Sequence, residues 1–555
     1  MYKNLYMSFK SDSKLNVYIF FAIYLVLGIL VFKDFGIGIE EHFQRQNGFY
    51  WLNHFLSFTN FEELKLIASE KYQQILTTDP YLPDANFFNF YGIVFDLPLA
   101  FIESFFNMQS SKIYFETRHL IIFLIFFLSS IFFYKILSNR FNYYPSIIFG
   151  TIMYVISPRI FGDSFYNNKD LLFLSLLVFS IYYAFKLFDN FNYKNLIYFC
   201  LFAALSTSSR IFGLYLPFLI IIFIFFEFLN EKITLKILLS RTSTILFTYL
   251  LFLYLHYPYI WKLNIFEIKN WLSSFFYFMD FRMLFNGEYY HIKYLPRLYL
   301  PIWIFLTTPI YIILIFLLGL FFASRRLVLR ILNIKNEITL SNDFWTSNNE
   351  KKDLLIILSF FLFFFYVIFF NVFMVSGWRY FYFLNIFIIY IFSFGIYKLR
   401  LITKKKINHK IFISVNLIFA ILIIIDLYKY HPYQSLYFNS FLNSENSKKF
   451  QIDTPSLSRS DALKFILSDN KKDKILVANT SWTPFHNGKA LLNELDKKRL
   501  VFVGQELKEA DYIYTNNIYL HDQKLNNKNS IPSNFNKIKE FKIKDIEIYS
   551  IYKRK

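Results

Sequence analysis

Through its first ~430 residues this chain carries run after run of 15 to 25 apolar residues with almost no charge. A helix that packs in water breaks its apolar stripe with polar residues about every turn. A segment crossing ~30 Å of hydrocarbon instead needs about 20 consecutive apolar residues, and its backbone must satisfy its own hydrogen bonds. Such runs therefore predict membrane-spanning helices. They fall at about 17–32, 118–138, 143–157, 170–188, 195–209, 211–229, 242–260, 298–323, 354–373, 380–397 and 411–428. The run at 143–157 is short for the bilayer, which predicts a tilted or protein-enclosed helix. The division between 195–209 and 211–229 rests on Arg210 alone.

The expected fold class is an all-α polytopic membrane domain of about 11 transmembrane helices over 1–428, followed by a small α/β extracytoplasmic domain over 429–555. The first run follows Lys3, Lys10 and Lys14, and Lys33-Asp34-Phe35 follows it where a cleaved leader would carry small residues. It reads as a retained anchor with a cytoplasmic N-terminus, which makes about 33–117 the first outer loop.

The formal charge is +20, from 59 Lys and Arg against 39 Asp and Glu. Its placement decides its meaning. Lys135 and Arg140 follow the second run, Lys186 and Lys194 the fourth, and Lys232, Lys236 and Arg241 the sixth. Arg325, Arg326, Arg330, Lys335, Lys351 and Lys352 follow the eighth, and Lys398, Arg400, Lys404, Lys405, Lys406 and Lys410 the tenth. Alternate loops are basic, as the positive-inside rule requires of a multi-pass inner (plasma) membrane protein, and nucleic acid is not needed as a partner. Cys200 is the only cysteine, so an internal disulfide and a thiolate metal site are excluded. The 76 Phe residues, with abundant Ile, Asn and Lys, are what an AT-rich coding sequence produces, and carry no functional reading.

An odd number of spans places the C-terminal region outside. There Ser458 to Asp461 resembles a capping box opening a helix through Leu467, and 474–479, 500–503, 511–514 and 541–552 read as strands.

Charges on the outer side are left unexplained by topology, and ionisable groups near membrane depth are costly without a partner or a task. Asp34, Glu40 and Glu41 follow the first span. Arg118-His119 opens the second. Arg159, Asp163, Lys169 and Asp170 lie in the turn after the third, Arg210 ends the fifth, and Ser376-Gly377-Trp378-Arg379-Tyr380 precedes the tenth. Each has an ordinary alternative: a helix-start charge for the carboxylates, an interfacial anchor for Arg118, His119 and Arg210, an Asp163–Arg159 pair, a head-group contact for Arg379. Together they fall on one side of the membrane and predict one outward-facing site. A carboxylate can take a proton from an acceptor hydroxyl, while Arg and Lys hold a phosphate as it leaves. The chemistry these groups suit is displacement at the anomeric carbon of a lipid-phosphate sugar.

At these residues the chain resembles the membrane glycosyltransferases of the C-type fold (GT-C). The branch is the bacterial one related to protein O-mannosyltransferases and the lipid A aminoarabinose transferase (glycosyltransferase family 39). The resemblance is carried by Gly36-Ile37-Gly38-Ile39-Glu40-Glu41, Arg118-His119-Leu120, Pro158-Arg159-Ile160-Phe161, Ser164 to Asp170, Pro301, Trp303, Thr307-Thr308-Pro309, Gly377-Trp378-Arg379, His431 to Gln434 and Tyr437 to Asn439, in that order over roughly 30–455. It implies a polyprenyl-phosphate-sugar donor among membrane lipids and a cell-envelope acceptor. It also implies a catalytic acid in the first outer loop, at Glu40, with Asp34 and Glu41 in support. Arg159, Lys169 and Arg210, with Arg118, His119 and Arg379, are then the donor-phosphate residues, and Asp170 orients Lys169. Some relatives place a divalent metal ion near the first-loop acid, for which Glu40 and Asp163, with Glu41 and His119, have ligands of the right type. Glu40 stands where Asp is usual, His42 where Pro is common, and Ser376 where Asp often precedes Gly-Trp-Arg. The rival expectations are a lipid-linked-sugar transporter or flippase, a polysaccharide polymerase or ligase, and an assembly protein binding through its C-terminal domain.

Overall fold

The computed structural model describes residues 2–78, 82, 91–262, 264, 267, 269, 282–333, 344–370, 372, 374–453, 455–480, 483–516 and 530–555. In chain order its helices are α1 (Tyr2–Val31), α2 (Glu41–Leu56), α3 (Glu62–Thr78), α4 (Asp96–Phe105), α5 (Ser111–Arg140), α6 (Tyr144–Ile156), α7 (Pro158–Asp163), α8 (Asp170–Asp189), α9 (Tyr193–Ser209), α10 (Tyr215–Leu229) and α11 (Leu235–His256). A hairpin of β1 (Arg282–Phe285) and β2 (Glu288–His291) leads to α12 (Tyr299–Thr307), α13 (Ile310–Asn333), α14 (Asn348–Phe369), α15 (Leu384–Thr403) and α16 (His409–Tyr430). Among the described residues eight helices are long and apolar enough to cross a membrane, and Leu15–Val31 and Tyr144–Ile156 are shorter apolar helices.

Each apolar run became a helix, with one division that the run lengths concealed. The run at 298–323 is two helices. Pro309 has no N–H to donate and disfavours helix at the residue before it, so Thr308 is extended. The carbonyls freed by this break are taken by Asn439, whose side-chain amide donates to Phe305 O at 2.6 Å and Thr308 O at 2.9 Å. Trp378 donates its indole N–H to Thr307 Oγ1 at 2.8 Å. Three of the sequence motifs thus meet at one helix break. Arg210 does divide its two runs: it is extended between the end of α9 and a 3-10 turn, Ile211–Leu214, that leads into α10.

Helix α8 is the buried centre of the bundle, and α5, α9 and α14 pack around it. Helices α13 and α15 meet backbone to backbone. A Cβ on Gly319 would lie 2.2 Å from Ile391 O, and one on Gly395 2.3 Å from Ile315 O. Such close approach of membrane helices requires the smallest residue at the contact.

The two ends of the bundle differ in chemistry. At one end Asp353 accepts from Arg140 at 2.6 and 2.7 Å, Arg326 at 2.9 Å and the Tyr390 hydroxyl at 2.8 Å. Beside it Lys352 pairs with Asp189 at 2.6 Å, and Lys351 pairs with Glu227. The loops read as basic gather here. The other end, about 30 Å away along the 20 residues of α8, carries Asp170 and the remaining outer-side candidates.

The last part is an α/β layer whose buried residues join the core of the bundle. Strands β3 (Ile475–Asn479), β4 (Leu500–Phe502), β5 (Tyr512–Asn516), β6 (Phe535–Ile543) and β7 (Ile546–Arg554) form a sheet of order β4-β3-β5-β7-β6. β3 is parallel to β4 and β5, while β7 is antiparallel to β5 and β6. The segment expected as one strand over 541–552 is a hairpin, because Lys544 and Asp545 take positive φ (47° and 65°) and turn the chain. Nor does Ser458 form a capping box on the helix Arg459–Asp469. Its hydroxyl bonds Asp453 Oδ2 and the Tyr514 hydroxyl instead, both at 2.6 Å.

Candidate functional site

Four segments distant in sequence bring the charged candidates together. The loop after α1 ends at Glu40, the residue preceding α2. The turn between α7 and α8 supplies Asp163, Lys169 and Asp170. The extended residue after α9 is Arg210, and a turn with positive φ at Ser376 (62°) and Gly377 (72°) delivers Arg379. Gly377 is favoured by its φ, and an added Cβ would press on the Trp303 ring at 3.3 Å.

Arg379 is the hub. Its Nη2 donates to Glu40 Oε1, and its Nε lies 3.0 Å from Asp170 Oδ2. The other oxygen of Asp170 accepts from Arg210. Asn167 locks the turn: its amide donates to Asp163 at 3.0 Å and Asp170 at 3.1 Å, and its carbonyl oxygen accepts from the Asp170 backbone N–H at 2.9 Å. Asp170 is buried and committed to two arginines, whereas the Glu40 side chain is 31% exposed. The reactive-looking member of the cluster is therefore Glu40. Burial raises its pKa, but Arg379, then Lys169 and Arg210, outweigh it and hold the carboxyl below its ordinary value.

Lys169 has its ammonium 3.1 Å from the centroid of the Tyr91 ring. Burial pushes its pKa down, Arg210 adds to this, and the carboxylates of Glu40, Asp170 and Asp96 only partly compensate, leaving it at about 7. Tyr91 reaches this place because Gly92 docks against α9, its N–H donating to Ser208 O at 3.2 Å. Tyr380 lies under the Arg210 guanidinium, 4.4 Å from its ring centroid.

The other candidates are near but differently engaged. Arg159 donates to Tyr437 O at 3.0 Å and lies over Trp303 (5.2 Å) and Phe438 (4.9 Å). Arg118 is paired with Asp96 at 3.0 Å. Glu41 turns inward, accepting from the Gly38 N–H at 2.7 Å and lying 3.2 Å from His119 Nε2, with both side chains buried. Asp34 is half exposed and lies 3.0 Å from His431 Nε2. So Glu40, Lys169, Asp170, Arg210 and Arg379 share one network, while Asp34, Glu41, Arg118 and His119 have partners of their own outside it.

The same residues are poorly suited to hold a metal ion. Asp163 is surrounded by donors: Tyr166 at 3.0 Å, Asn167 at 3.0 Å and Tyr382 at 3.4 Å. Glu40 faces a guanidinium. Among the described residues no three His, Cys, Asp or Glu side chains converge. The donor set does not fit a resident cation.

A narrow cleft with room for little more than a water molecule opens beside Arg379, lined also by Arg159, Asp163, Trp303, Tyr382 and Gln451. The Gln451 amide is buried, with neither end hydrogen-bonded among the described residues. Sequence reasoning missed Tyr91, Asp96 and Gln451, and gave Tyr380 no role beyond its place in the Ser376–Tyr380 segment. Tyr91 was hidden among 43 Tyr residues. Asp96 carried a signal, since a carboxylate in an apolar stretch of the first loop needs a cation such as Arg118.

No protein-family model matches the chain, and no curated protein sequence matches it. Among solved structures it is similar to the crystal structure of ArnT from Cupriavidus metallidurans bound to undecaprenyl phosphate, with a TM-score of 0.43, 9% identity, and coverage of 96% of this chain and 97% of that one.

Proposed function

We propose that the chain is an integral membrane glycosyltransferase of the GT-C type that moves a sugar from a polyprenyl-phosphate donor to an acceptor on the outer face of the inner membrane. The observation that carries this reading is the Glu40–Arg379 pair inside a cluster of Arg210, Lys169 and Asp170 at one end of the bundle. That end lies opposite the basic loops, which supports an outward-facing site under the positive-inside rule. The ordered motifs that resemble this family supply Glu40, Lys169, Asp170 and Arg379 of the cluster and the helix-break contacts beside it.

The reaction is a single displacement. The acceptor hydroxyl oxygen bonds to the anomeric carbon, its proton passes to Glu40, and the bond from that carbon to the phosphate oxygen breaks. The electron pair leaves with the lipid phosphate, and the configuration at carbon inverts. Cations hold the phosphate before and after departure. Arg379, Arg210 and Lys169 are assigned that work, and Asp170 fixes the two arginines.

The resting geometry gives the cluster a further property. A carboxylate held against a guanidinium is a weak base. A donor phosphate arriving at Arg379 competes with Glu40 for the same N–H groups. Displaced, Glu40 loses its strongest cation and its proton affinity rises, so the base becomes effective when the leaving group is in place.

The test is single-turnover transfer by purified protein in liposomes, using a panel of radiolabelled polyprenyl-phosphate sugars with cell-envelope extract as acceptor. Transfer by the wild type, lost in Glu40→Gln with donor binding intact, establishes the activity. A folded protein that consumes no donor, or that moves the lipid across the bilayer without transfer, overturns it.

A further inference from the structure

The loop that presents Glu40 has little structure of its own. Residues 36–38 belong to no helix or strand, and a turn at 39–40 leads into α2. Ile37 packs against Phe115 and Gly38 lies beside Tyr166, but among the described residues the loop's backbone hydrogen bonds to other segments come from the start of the C-terminal domain. The Ile39 N–H donates to Pro455 O at 3.1 Å. Arg459 Nη2 donates to Ile37 O at 2.7 Å. Gly36 lies so near Leu457 that an added Cβ would stand 2.2 Å from its carbonyl oxygen.

Arg459 is 1% exposed and spends its donors on backbone carbonyls: Ser456 O and Pro484 O, each at 2.7 Å, as well as Ile37 O. A guanidinium with three carbonyl partners on three segments fixes their spacing, because its N–H groups diverge at set angles. The turn preceding it is equally constrained. Asp453 and Ser456 take positive φ (47° and 58°). The buried Asp453 carboxylate accepts from the Leu457 N–H at 2.9 Å and the Ser458 hydroxyl at 2.6 Å, and that hydroxyl reaches Tyr514 on β5. A connected path therefore runs from the sheet, through Ser458, Asp453 and Arg459, to the backbone one to three residues before Glu40.

We propose that the C-terminal domain is the scaffold of the first-loop base, with Arg459 as a positioning residue for Glu40, an assignment that rests on the reading of Glu40 given above. Arg459 makes none of its described contacts with Glu40 or the cluster. It acts by holding the loop that aims the carboxylate, and misplacing a reacting group by about 1 Å costs up to 10²-fold in rate.

Two variants approach the contact from opposite sides. Arg459→Lys keeps the charge and loses the diverging donors, and Gly36→Ala pushes the loop off Leu457. Both are studied as full-length protein in liposomes by hydrogen exchange and by single-turnover transfer. The expected result is lost amide protection over 36–41 with β5 and α8 unchanged. Transfer should slow about 10- to 100-fold at unaltered donor Kd, with no added loss when Arg459→Lys is combined with Glu40→Gln. Unchanged protection over 36–41 overturns the proposal. So does lost protection at full rate, or an equal fractional loss with and without Glu40. A wild type that transfers no sugar overturns the reading of Glu40 itself, and exchange, which needs no turnover, tells that apart from failure of the clamp.

Discussion

The ammonium of Lys169 rests on the face of Tyr91, 3.1 Å from the ring centroid, and among the described residues no carboxylate is bonded to it. Burial works against the charge and Arg210 adds to it, and the carboxylates of Glu40, Asp170 and Asp96 only partly compensate, which sets the pKa at about 7. A donor phosphodiester keeps its one negative charge from pH 7 to 9, above the raised pKa of about 6 of the buried Asp163, so the titration of Lys169 dominates binding in that window. The phosphate raises the pKa of Lys169 in the complex. Donor affinity is therefore full below about pH 7 and falls above it, by up to tenfold per unit, until the pKa of the complex is reached. Lys169→Arg, always charged, should flatten the profile. Calorimetric Kd values for one donor across the range check this, and a flat wild-type profile would sink it.

Glu40→Gln is expected to lower transfer by about 10²- to 10⁴-fold, the range of a lost general base. Donor affinity should stay equal or rise, because the substitution removes the anion that competes for Arg379. Glu40→Asp shortens the reach by one methylene and should fall between the two in rate. Weaker donor binding by Glu40→Gln would mean that the carboxylate contacts the sugar instead.

Asp170 sits between Arg210 and Arg379 at 3% exposure. Asp170→Asn removes the charge that both arginines share and leaves two buried cations together. Breaking a buried pair in this way costs about 3–5 kcal/mol. The variant should melt at a lower temperature than the wild type. Added polyprenyl phosphate should recover more stability in the variant, since the phosphate supplies the missing anion. Equal ligand-induced shifts in the two proteins would place the phosphate elsewhere.

The fold was legible in the sequence wherever one physical rule acted alone. Uncharged length marked the helices, and the Lys and Arg loops marked one end of the bundle. The rule failed where two effects met. Pro309 cut a run whose hydropathy is continuous, and Lys544-Asp545 turned a strand whose alternation reads straight through. Ser458 had the right neighbour for a capping box, yet a buried Asp453 outbid the helix for its hydroxyl. In the site, charge placement picked out the cluster but could not sort partners. Glu40 and Glu41 are adjacent in sequence, but α2 begins between them and sends one to Arg379 and the other to His119. Arg118 and Arg210 look alike as span-end cations, and only the fold shows that Asp96 takes one and Asp170 the other.

The opposite end of the bundle offers a control that separates stability from chemistry. Asp353 is 3% exposed and holds Arg140, Arg326 and the Tyr390 hydroxyl. Helices α5, α13, α14 and α15 are joined through this one carboxylate. Asp353→Ala strands two arginines and a phenol, and is expected to destabilise the bundle by about 3–5 kcal/mol. The site lies a full helix length away along α8, so donor Kd and the single-turnover rate of the folded fraction should match the wild type. Thermal unfolding in detergent and transfer by the same preparation measure the two quantities. A large rate loss at normal stability would reveal coupling between the ends that the static contacts do not carry.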